Sequence, residues 1–152
     1  MTARDVMTRD VVTVPASATA REAAELMARH NHAALPVVDA EGNFLAMLTD
    51  EDLLRLTLPT YLEGIEDLSF LPKDFEPFEH PPAEMKDARV LDIVPSGECP
   101  VAEPGDHVAE VARIICRGHV RRVPVVEDGK LVGIVSRGDL VERVVLPTLR
   151  EE

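Results

Sequence analysis

The sequence is short of aromatic residues and of positive charge, and the shortage of positive charge excludes two classes of partner. It contains no tryptophan, one tyrosine and four phenylalanines among 152 residues. Its 16 Lys and Arg residues are outnumbered by 28 Asp and Glu residues, so the net charge is −12. Proteins bind the phosphate backbone of nucleic acids through clusters of Lys and Arg that displace condensed counterions. We therefore expect neither a nucleic-acid polymer nor an anionic membrane surface as a partner.

Long apolar runs and closely spaced cysteines are missing as well. No apolar run approaches the length of about 18 residues that a membrane-spanning helix needs, and the N-terminal sequence MTARDVMTRD is too charged for a signal peptide. These features predict a cytoplasmic protein. The two cysteines, Cys99 and Cys116, lack CxxC spacing, and the apolar neighbours of Cys116 in a predicted helix favour a buried free thiol there.

The sequence does contain an internal repeat, and a repeated unit decides the architecture. Residues 30–54 align with residues 118–141, and the helical segments that precede them also align. The coinciding positions include a proline and a hydroxyl–carboxylate pair: Pro36 with Pro124, Thr49 with Ser136 and Asp52 with Asp139. We therefore define repeat 1 as residues 1–56 and repeat 2 as residues 86–148, on either side of a segment that is not repeated.

Each repeat predicts the same order of elements: strand, helix, hairpin, helix. Thr19 and Glu22 have the spacing of a capping box at the start of the first helix, and Asp128 and Gly129 are typical of a tight hairpin turn. The strands are predicted at 11–14, 35–38 and 44–48 in repeat 1 and at 99–102 (weakened by Pro100), 123–126 and 131–135 in repeat 2, with second helices starting near Asp50 and Gly138. We therefore expect an α/β fold of the α+β type, in which small sheets and their helices pack into one module.

The segment between the repeats, residues 57–85, has a different composition. It holds five prolines, seven acidic residues and one lysine, which is typical of a flexible acidic linker. It also holds four of the chain's five aromatic residues, which are scarce in disordered chains and contribute strongly to packing. We favour an ordered arm that docks on a repeat or on a second subunit over a loose tether.

The repeated pattern resembles a known family. In each copy an apolar-Pro-Val-Val-acidic strand is followed by a turn, an apolar strand and Thr/Ser-x-x-Asp-Leu at the start of a helix. Two such copies in register resemble a tandem pair of CBS domains, often named a Bateman module. The resemblance implies a regulatory module that binds an adenosine-containing ligand, such as AMP, ADP, ATP or S-adenosylmethionine, in clefts between the repeats. It also implies a homodimer, and it leaves the arm unexplained.

A nucleotide needs an acceptor for its ribose hydroxyls, an apolar slot for its base, and positive charge or backbone amides for its phosphate. Asp52 and Asp139 are predicted in the first turn of the second helices, with Thr49 and Ser136 three residues earlier. In the family these positions correspond to the ribose-binding aspartate and the hydroxyl on the phosphate side. The same spacing is typical of helix N-caps. We therefore expect a dual role, in which the hydroxyl caps or binds while the carboxylate faces the cleft.

The repeats differ where a phosphate would lie. Repeat 2 carries Arg121, Arg122 and Arg137 near its motif, whereas repeat 1 has two alanines and an aspartate at those places. Family members often carry His or Arg two residues before the proline, a position that Arg122 fills. Planar guanidinium groups bind phosphate bidentately. We expect repeat 2 to be the stronger phosphate site, and repeat 1 to be weak, empty or suited to a less charged adenosyl ligand. The alternative is that the arginines form only a solvated basic edge.

The five histidines show no pattern that predicts a metal site. His30 and His32 are two residues apart without a clear third ligand, so no metal site is expected. His80, His107 and His119 are interpreted as surface or capping residues, with His119 a marginal phosphate contact.

The sequence has no GxSxG, P-loop or GxGxxG motif, so we expect no enzymatic activity and no catalytic cofactor. The leading hypothesis is a ligand-sensing module with an unidentified protein effector, and the alternative is a structural dimerisation module whose clefts stay empty.

Overall fold

A computed structural model describes residues 1–78, 85 and 87–150 of the chain. These residues belong to two compact units, each assembled from separate stretches of sequence. The first unit comprises Met1–Thr13, Val38–Leu45 and Gly97–Glu152, and the second comprises Val14–Val37 and Ala46–Ser96. His80, for which a surface or capping role was predicted, lies outside the described residues.

Helices and short strands alternate along the chain. The strands are β1 (Val14–Pro15), β2 (Ala34–Val38), β3 (Phe44–Thr49), β4 (Arg122–Glu127) and β5 (Lys130–Ser136). The helices are α1 (Ala3–Val6), α2 (Ala20–His30), α3 (Asp50–Thr57), α4 (Thr60–Glu63), α5 (Val90–Ile93), α6 (Val108–Gly118), α7 (Arg137–Leu140) and α8 (Leu146–Arg150), with a π-helical turn at Val141–Val145. One sheet has the order β1–β2–β3, and β4 pairs with β5 in the other. The predicted α/β architecture with small sheets is therefore confirmed.

The hairpin of repeat 2 has the turn that its sequence predicts. Strands β4 and β5 are antiparallel, with Arg122 opposite Ser136 at one end and Glu127 opposite Lys130 at the other. The backbone φ angles of Asp128 and Gly129 are +51° and +80°, as a two-residue turn between twisted strands requires. This register places the first residue of β4 beside the last residue of β5.

The predicted helix starts and the weakness of one leading strand are also present. The Thr19 side chain caps α2 by accepting a hydrogen bond from the Glu22 backbone N–H at 3.2 Å. His107 Nδ1 caps α6 in the same manner, accepting from the Ala109 N–H at 3.0 Å. In repeat 2 the leading segment forms only an isolated bridge at Ala102, because Pro100, two residues earlier, has no N–H to donate to a ladder.

The N-terminal segment packs in the first unit, beside elements of repeat 2. The Thr8 N–H donates to the Ile134 carbonyl at 2.8 Å, and the Ile134 N–H donates back to Thr8 at 3.0 Å. A Cβ atom on Gly133 would lie 2.5 Å from Met7 Sδ and 3.0 Å from the Thr8 carbonyl oxygen. Only glycine allows this close approach without displacement. The buried core of this unit contains Ala3, Val6, Ala102, Val108, Val111, Ile115, Val123, Val125, Val135 and Leu140.

The segment that opens repeat 2 packs reciprocally in the second unit. The Ala20 N–H donates to the Ala88 carbonyl at 2.7 Å, and the Val90 N–H donates to the Ala18 carbonyl at 3.1 Å. The side chain of Val90 is fully buried. The first residues of each repeat therefore belong to the compact unit that contains most of the other repeat. The boundaries 1–56, 57–85 and 86–148 describe repetition in the sequence, and they stay a prediction.

The described part of the arm contains α4 and a series of turns. Leu62 in α4 is 5% exposed. The aromatic side chains are much more exposed, at 62% for Tyr61, 65% for Phe70, 38% for Phe75 and 53% for Phe78. Within α4 the buried side chain is therefore aliphatic, and the aromatic side chains of the arm are exposed. Across residues 1–78, 85 and 87–150, no helix is long and apolar enough to span a membrane.

Candidate functional site

The start of β4 and the end of β5 meet at one edge of their sheet. Arg122 pairs with Ser136 in the antiparallel register, and the Arg137 backbone N–H donates to the Arg121 carbonyl at 2.9 Å. Asp139 lies in the first turn of α7, which follows directly. The structure thus brings together all the site residues that the sequence predicted in repeat 2. We name this group junction 2: Arg121, Arg122, Ser136, Arg137 and Asp139.

Ser136 and Asp139 form a reciprocal capping box. Ser136 Oγ accepts a hydrogen bond from the Asp139 backbone N–H at 3.1 Å, and Asp139 Oδ2 accepts one from the Ser136 backbone N–H at 2.8 Å. This exchange satisfies two backbone donors at the helix start and fixes the Asp139 side chain. Over residues 1–78 and 87–150, Asp139 Oδ1 accepts no hydrogen bond. One oxygen of the half-buried carboxylate therefore retains its capacity to accept a hydroxyl group.

The arginines of junction 2 carry positive charge that no carboxylate of the described residues pairs with. Arg121 and Arg137 are exposed and Arg122 is half-buried. Among the described residues, none of the three guanidinium groups lies within 4.0 Å of a carboxylate oxygen. In a chain with a net charge of −12, such a cluster creates a local positive potential that attracts anions.

Repeat 1 forms the same backbone arrangement with different side chains. The Asp50 backbone N–H donates to the Ala33 carbonyl at 2.8 Å, which is the counterpart of the bond in junction 2. Thr49 Oγ1 accepts from the Asp52 N–H at 3.2 Å, and Asp52 Oδ2 accepts from the Thr49 N–H at 2.9 Å. We name this group junction 1: Ala33, Ala34, Thr49, Asp50 and Asp52.

Asp52 is more enclosed than Asp139 and has a cation of its own chain beside it. Its exposed fraction is 6%. The Arg55 guanidinium lies 3.9 Å from Asp52 Oδ1 and 3.0 Å from Glu51 Oε1. The oxygen that the cap leaves on Asp52 therefore faces Arg55, which competes with an external hydroxyl for it. Arg55 is not among the site residues predicted from the sequence, although its position four residues after Glu51 is the spacing of a helical ion pair.

The structure therefore groups the predicted site residues within each repeat. Thr49 lies with Asp52, and Ser136 lies with Asp139 and the three arginines. The capping half of the predicted dual role is present in both junctions. The ligand-binding half stays a prediction.

A shallow apolar groove of about 370 Å³ runs between α2 and α3 and ends at Asp50 of junction 1. Ala24 lies on its wall and is exposed. The groove is lined by Ala24, Met27, Ala28, His32, Asp50, Leu53, Leu54 and Thr57.

The histidine pair and the cysteines form no site in the described residues. The rings of His30 and His32 have centroids 5.9 Å apart, and no group of three or more His, Cys, Asp or Glu residues in residues 1–78 and 87–150 could hold a metal ion. The prediction of a buried thiol at Cys116 is wrong. Cys116 is exposed, because the apolar stripe of α6 passes through Ile115 and turns the next residue outward. Burial raises the pKa of the half-buried Cys99 thiol.

A family model of the CBS domain matches two segments of the chain, residues 3–58 and 90–146. The chain belongs to the CBS domain family. The matched segments correspond to the two repeats, and the predicted tandem CBS pair is therefore confirmed. Junctions 1 and 2 are equivalent positions in the two CBS domains.

Relatives and solved structures share this organisation. The CBS domain-containing protein YhcV of Bacillus subtilis is 32% identical over 137 residues, which cover 90% of this chain and 81% of YhcV. The crystal structure of CBSX2 in complex with AMP has a TM-score of 0.73 at 27% identity, with 98% of each chain covered. The CBS pair of MJ0100, solved with 5′-methylthioadenosine and S-adenosylmethionine, has the same fold, with a TM-score of 0.68 at 21% identity and coverage of 97% and 98%.

Some relatives are longer than this chain. Another curated relative is 27% identical over 139 residues, and the chain spans 41% of its length. A CBS pair is thus found both in proteins of similar size and as a part of larger ones.

Proposed function

We propose that this CBS pair is a regulatory module that binds an adenosine nucleotide at junction 2. In this proposal Asp139 accepts hydrogen bonds from the ribose hydroxyls, Ser136 lies on the phosphate side, and the three arginines bind the phosphate. The observation that carries the proposal is one sheet edge that holds both a carboxylate fixed by the helix cap and three arginines that pair with no carboxylate of the described residues.

The chemistry of these groups suits a nucleotide phosphate better than it suits a structural role. An ionised donor makes stronger hydrogen bonds to phosphate than a neutral one does, and a guanidinium group can make two of them in parallel. Arg122 is half-buried, and no carboxylate of the described residues lies within 4.0 Å of its guanidinium group, so a phosphate would supply it with an anionic partner. The related CBSX2 pair was crystallised with AMP, which supports the same class of ligand here.

Regulation follows if the ligand binds one conformation of the pair better than another. A ligand shifts a conformational equilibrium only by its difference in affinity for the two states. No catalytic chemistry is needed for this role, and we propose that the module acts in the cytoplasm on a protein effector that is not yet identified. An S-adenosylmethionine-type ligand, whose sulfonium is positive, suits junction 2 less well than AMP, ADP or ATP does.

A structural dimerisation module is the second candidate, and the C-terminal helical stretch favours it. Val141, Val145 and Leu149 follow one another at intervals of four residues, with exposed fractions of 57%, 44% and 74%. Residues four apart share a helix face, so they form an apolar stripe that a second copy would cover. We propose a homodimer on this basis. It is compatible with ligand binding, and it stands alone as the function only if junction 2 binds nothing.

Thermal unfolding with AMP, ADP, ATP and S-adenosylmethionine tests the proposal. A ligand at about 100 times its Kd adds about 2.7 kcal/mol to the free energy of unfolding. In a chain of this size that raises the Tm by about 5 °C or more. We expect AMP to raise the Tm of the wild-type protein and to have little effect on Asp139→Asn. The asparagine oxygen still accepts the Ser136 N–H, so the cap survives in the variant.

Asp52→Asn is the matched control, because it makes the same change in the other junction. It should retain most of the shift with AMP. If no adenosyl compound raises the Tm of nucleotide-free protein, the dimerisation module becomes the better interpretation. A Leu149→Glu variant, examined by sedimentation, then shows whether the apolar stripe holds two copies together.

A further inference from the structure

Asp50 and Arg137 occupy equivalent positions in the two repeats. Each directly follows the hydroxyl residue that caps a helix. Each also donates its backbone N–H to the carbonyl of the residue three positions before the strand proline, at 2.8 Å from Asp50 to Ala33 and 2.9 Å from Arg137 to Arg121. Their side chains therefore leave the backbone from matching points, with opposite charges.

The surrounding residues reinforce this opposition. Six equivalent positions around each helix start carry a net charge of −2 in repeat 1 and +1 in repeat 2. The six in repeat 1 are Ala33, Ala34, Asp50, Glu51, Asp52 and Arg55, and those in repeat 2 are Arg121, Arg122, Arg137, Gly138, Asp139 and Glu142. An anion approaching repeat 1 therefore meets a carboxylate where one approaching repeat 2 meets a guanidinium group.

Asp50 is the carboxylate of junction 1 that has no cation beside it among the described residues. Arg55 lies beside Glu51 and Asp52. In the described part of the chain, no Lys, Arg or His nitrogen lies within 4.0 Å of the Asp50 carboxylate. Its Oδ1 accepts a hydrogen bond from the Glu51 backbone N–H at 2.8 Å. The exposed Asp50 side chain thus presents an uncompensated negative charge where Arg137 presents a positive one.

We propose that Asp50 and Arg137 set the charge of the ligand that each repeat accepts. Junction 2 binds a nucleotide phosphate and junction 1 repels one, so the chain binds one equivalent of AMP or ATP although it has two CBS domains. This inference rests on the proposed function, because it concerns the specificity of the same two junctions. The charge difference acts on the phosphate and not on the adenosine. For a ligand without phosphate, the difference in affinity between the two junctions should therefore disappear.

Titration calorimetry with AMP, ATP and 5′-methylthioadenosine tests the inference by stoichiometry. We expect the wild-type protein to bind one equivalent of AMP per chain. Asp50→Arg should raise AMP affinity at junction 1 about tenfold or more and bring the stoichiometry to two, since it replaces a repelling charge with a bidentate phosphate ligand. Arg137→Asp should weaken AMP binding at junction 2 by a similar factor. The affinity for 5′-methylthioadenosine, which has no phosphate, should change less than about threefold in both variants.

Two further variants separate a local effect from a general one. Glu63→Arg makes the same change in net charge on exposed chain outside the junctions, and it should leave the stoichiometry at one. In Asp50→Arg/Asp139→Asn the remaining equivalent of AMP should bind at junction 1. Circular dichroism checks that each variant is folded.

The outcomes distinguish this inference from the proposed function. If no variant and no wild-type protein binds AMP, ATP or 5′-methylthioadenosine, both fall together. If AMP binds but the wild-type protein takes two equivalents of similar affinity, only the charge rule is overturned. The same holds if Asp50→Arg stays at one equivalent, or if Glu63→Arg has the same effect as Asp50→Arg.

Discussion

Junctions 1 and 2 are built on the same hydrogen bonds and carry opposite charges. In each, a hydroxyl residue and an aspartate three positions later exchange hydrogen bonds with one another's backbone N–H groups, at 2.8–3.2 Å. The residue directly after the hydroxyl residue is Asp50 in junction 1 and Arg137 in junction 2. The capping bonds fix the backbone, and they leave the neighbouring side chains free to differ. A duplicated fold can thereby keep one architecture while its two sites diverge in ligand.

The repeats diverge in their strands as well as at their junctions. Gly133 in β5 of repeat 2 is aligned with Ala46 in β3 of repeat 1. The N-terminal segment lies against Gly133, where a Cβ atom would lie 2.5 Å from Met7 Sδ. Repeat 1 has an alanine at the matching place. The difference shows that glycine here is required by a close neighbour and not by the hairpin itself.

The largest effect is expected when this difference is removed. Gly133→Ala should lower the free energy of unfolding by about 2 kcal/mol, because overpacking forces side chain and backbone to shift. The reverse change in repeat 1, Ala46→Gly, should cost about 1 kcal/mol or less through backbone entropy. Urea denaturation measures both values. Equal losses from the two variants would show that the N-terminal segment does not press on β5.

A second change in the neighbour sharpens this comparison. Adding Met7→Ala to Gly133→Ala should recover about half of the loss, since the Met7 side chain is one of two close neighbours. The Thr8 carbonyl oxygen, at 3.0 Å from the same Cβ position, accounts for the remainder. Recovery of none of the loss would assign the strain to the backbone contact alone.

The next largest effect separates the two capping carboxylates. Asp139→Ala should lower the free energy of unfolding by about 1 kcal/mol, the usual cost of a lost cap. Asp52→Ala should cost more, about 2 kcal/mol, because its 6% exposure leaves the freed Thr49 N–H with little access to water. The matching asparagine variants keep the cap acceptor and should restore most of each loss. A greater loss from Asp139→Ala would reverse this assignment.

Much of this fold could be predicted from the sequence because the same pattern occurs in both repeats. The Thr19 cap, the Asp128–Gly129 turn and the two hairpins depend on residues close together in the chain, so local chemistry predicts them. The same holds for the capping pairs of both junctions. The membership of junction 2 follows from the hairpin register, which the turn fixes.

Some features that were not predicted from the sequence depend on contacts between distant residues, and others depend on which face of a helix packs. The exchange of leading segments rests on pairs such as Ala20 with Ala88, and no local pattern encodes such a pair. Cys116 is exposed because the buried face of α6 passes through Val111 and Ile115, and the residue after Ile115 points outward. The ion pairs of Arg55 reduce the availability of Asp52, a property of three side chains together.

The smallest effect concerns the hairpin turn of repeat 1, in which the Asp39 side chain accepts hydrogen bonds in addition to the positive φ angle of Gly42, +87°. Asp39 accepts hydrogen bonds from the Asn43 side chain at 2.9 Å and from the Asn43 and Glu41 backbone N–H groups at 2.8 and 3.0 Å. The bonds from Asn43 are the main reason that the pKa of Asp39 lies below its ordinary value of 3.8. A lowered pKa gives stability that is present above the unfolded value and is lost as the pH falls through the folded one. Urea denaturation at pH values from about 6 down to about 3 should therefore show a smaller acid-induced loss in Asp39→Asn than in the wild-type protein. Parallel curves for the two proteins would mean that these hydrogen bonds do not favour the ionised carboxylate, and the contrast between the two turns would then rest on backbone conformation alone.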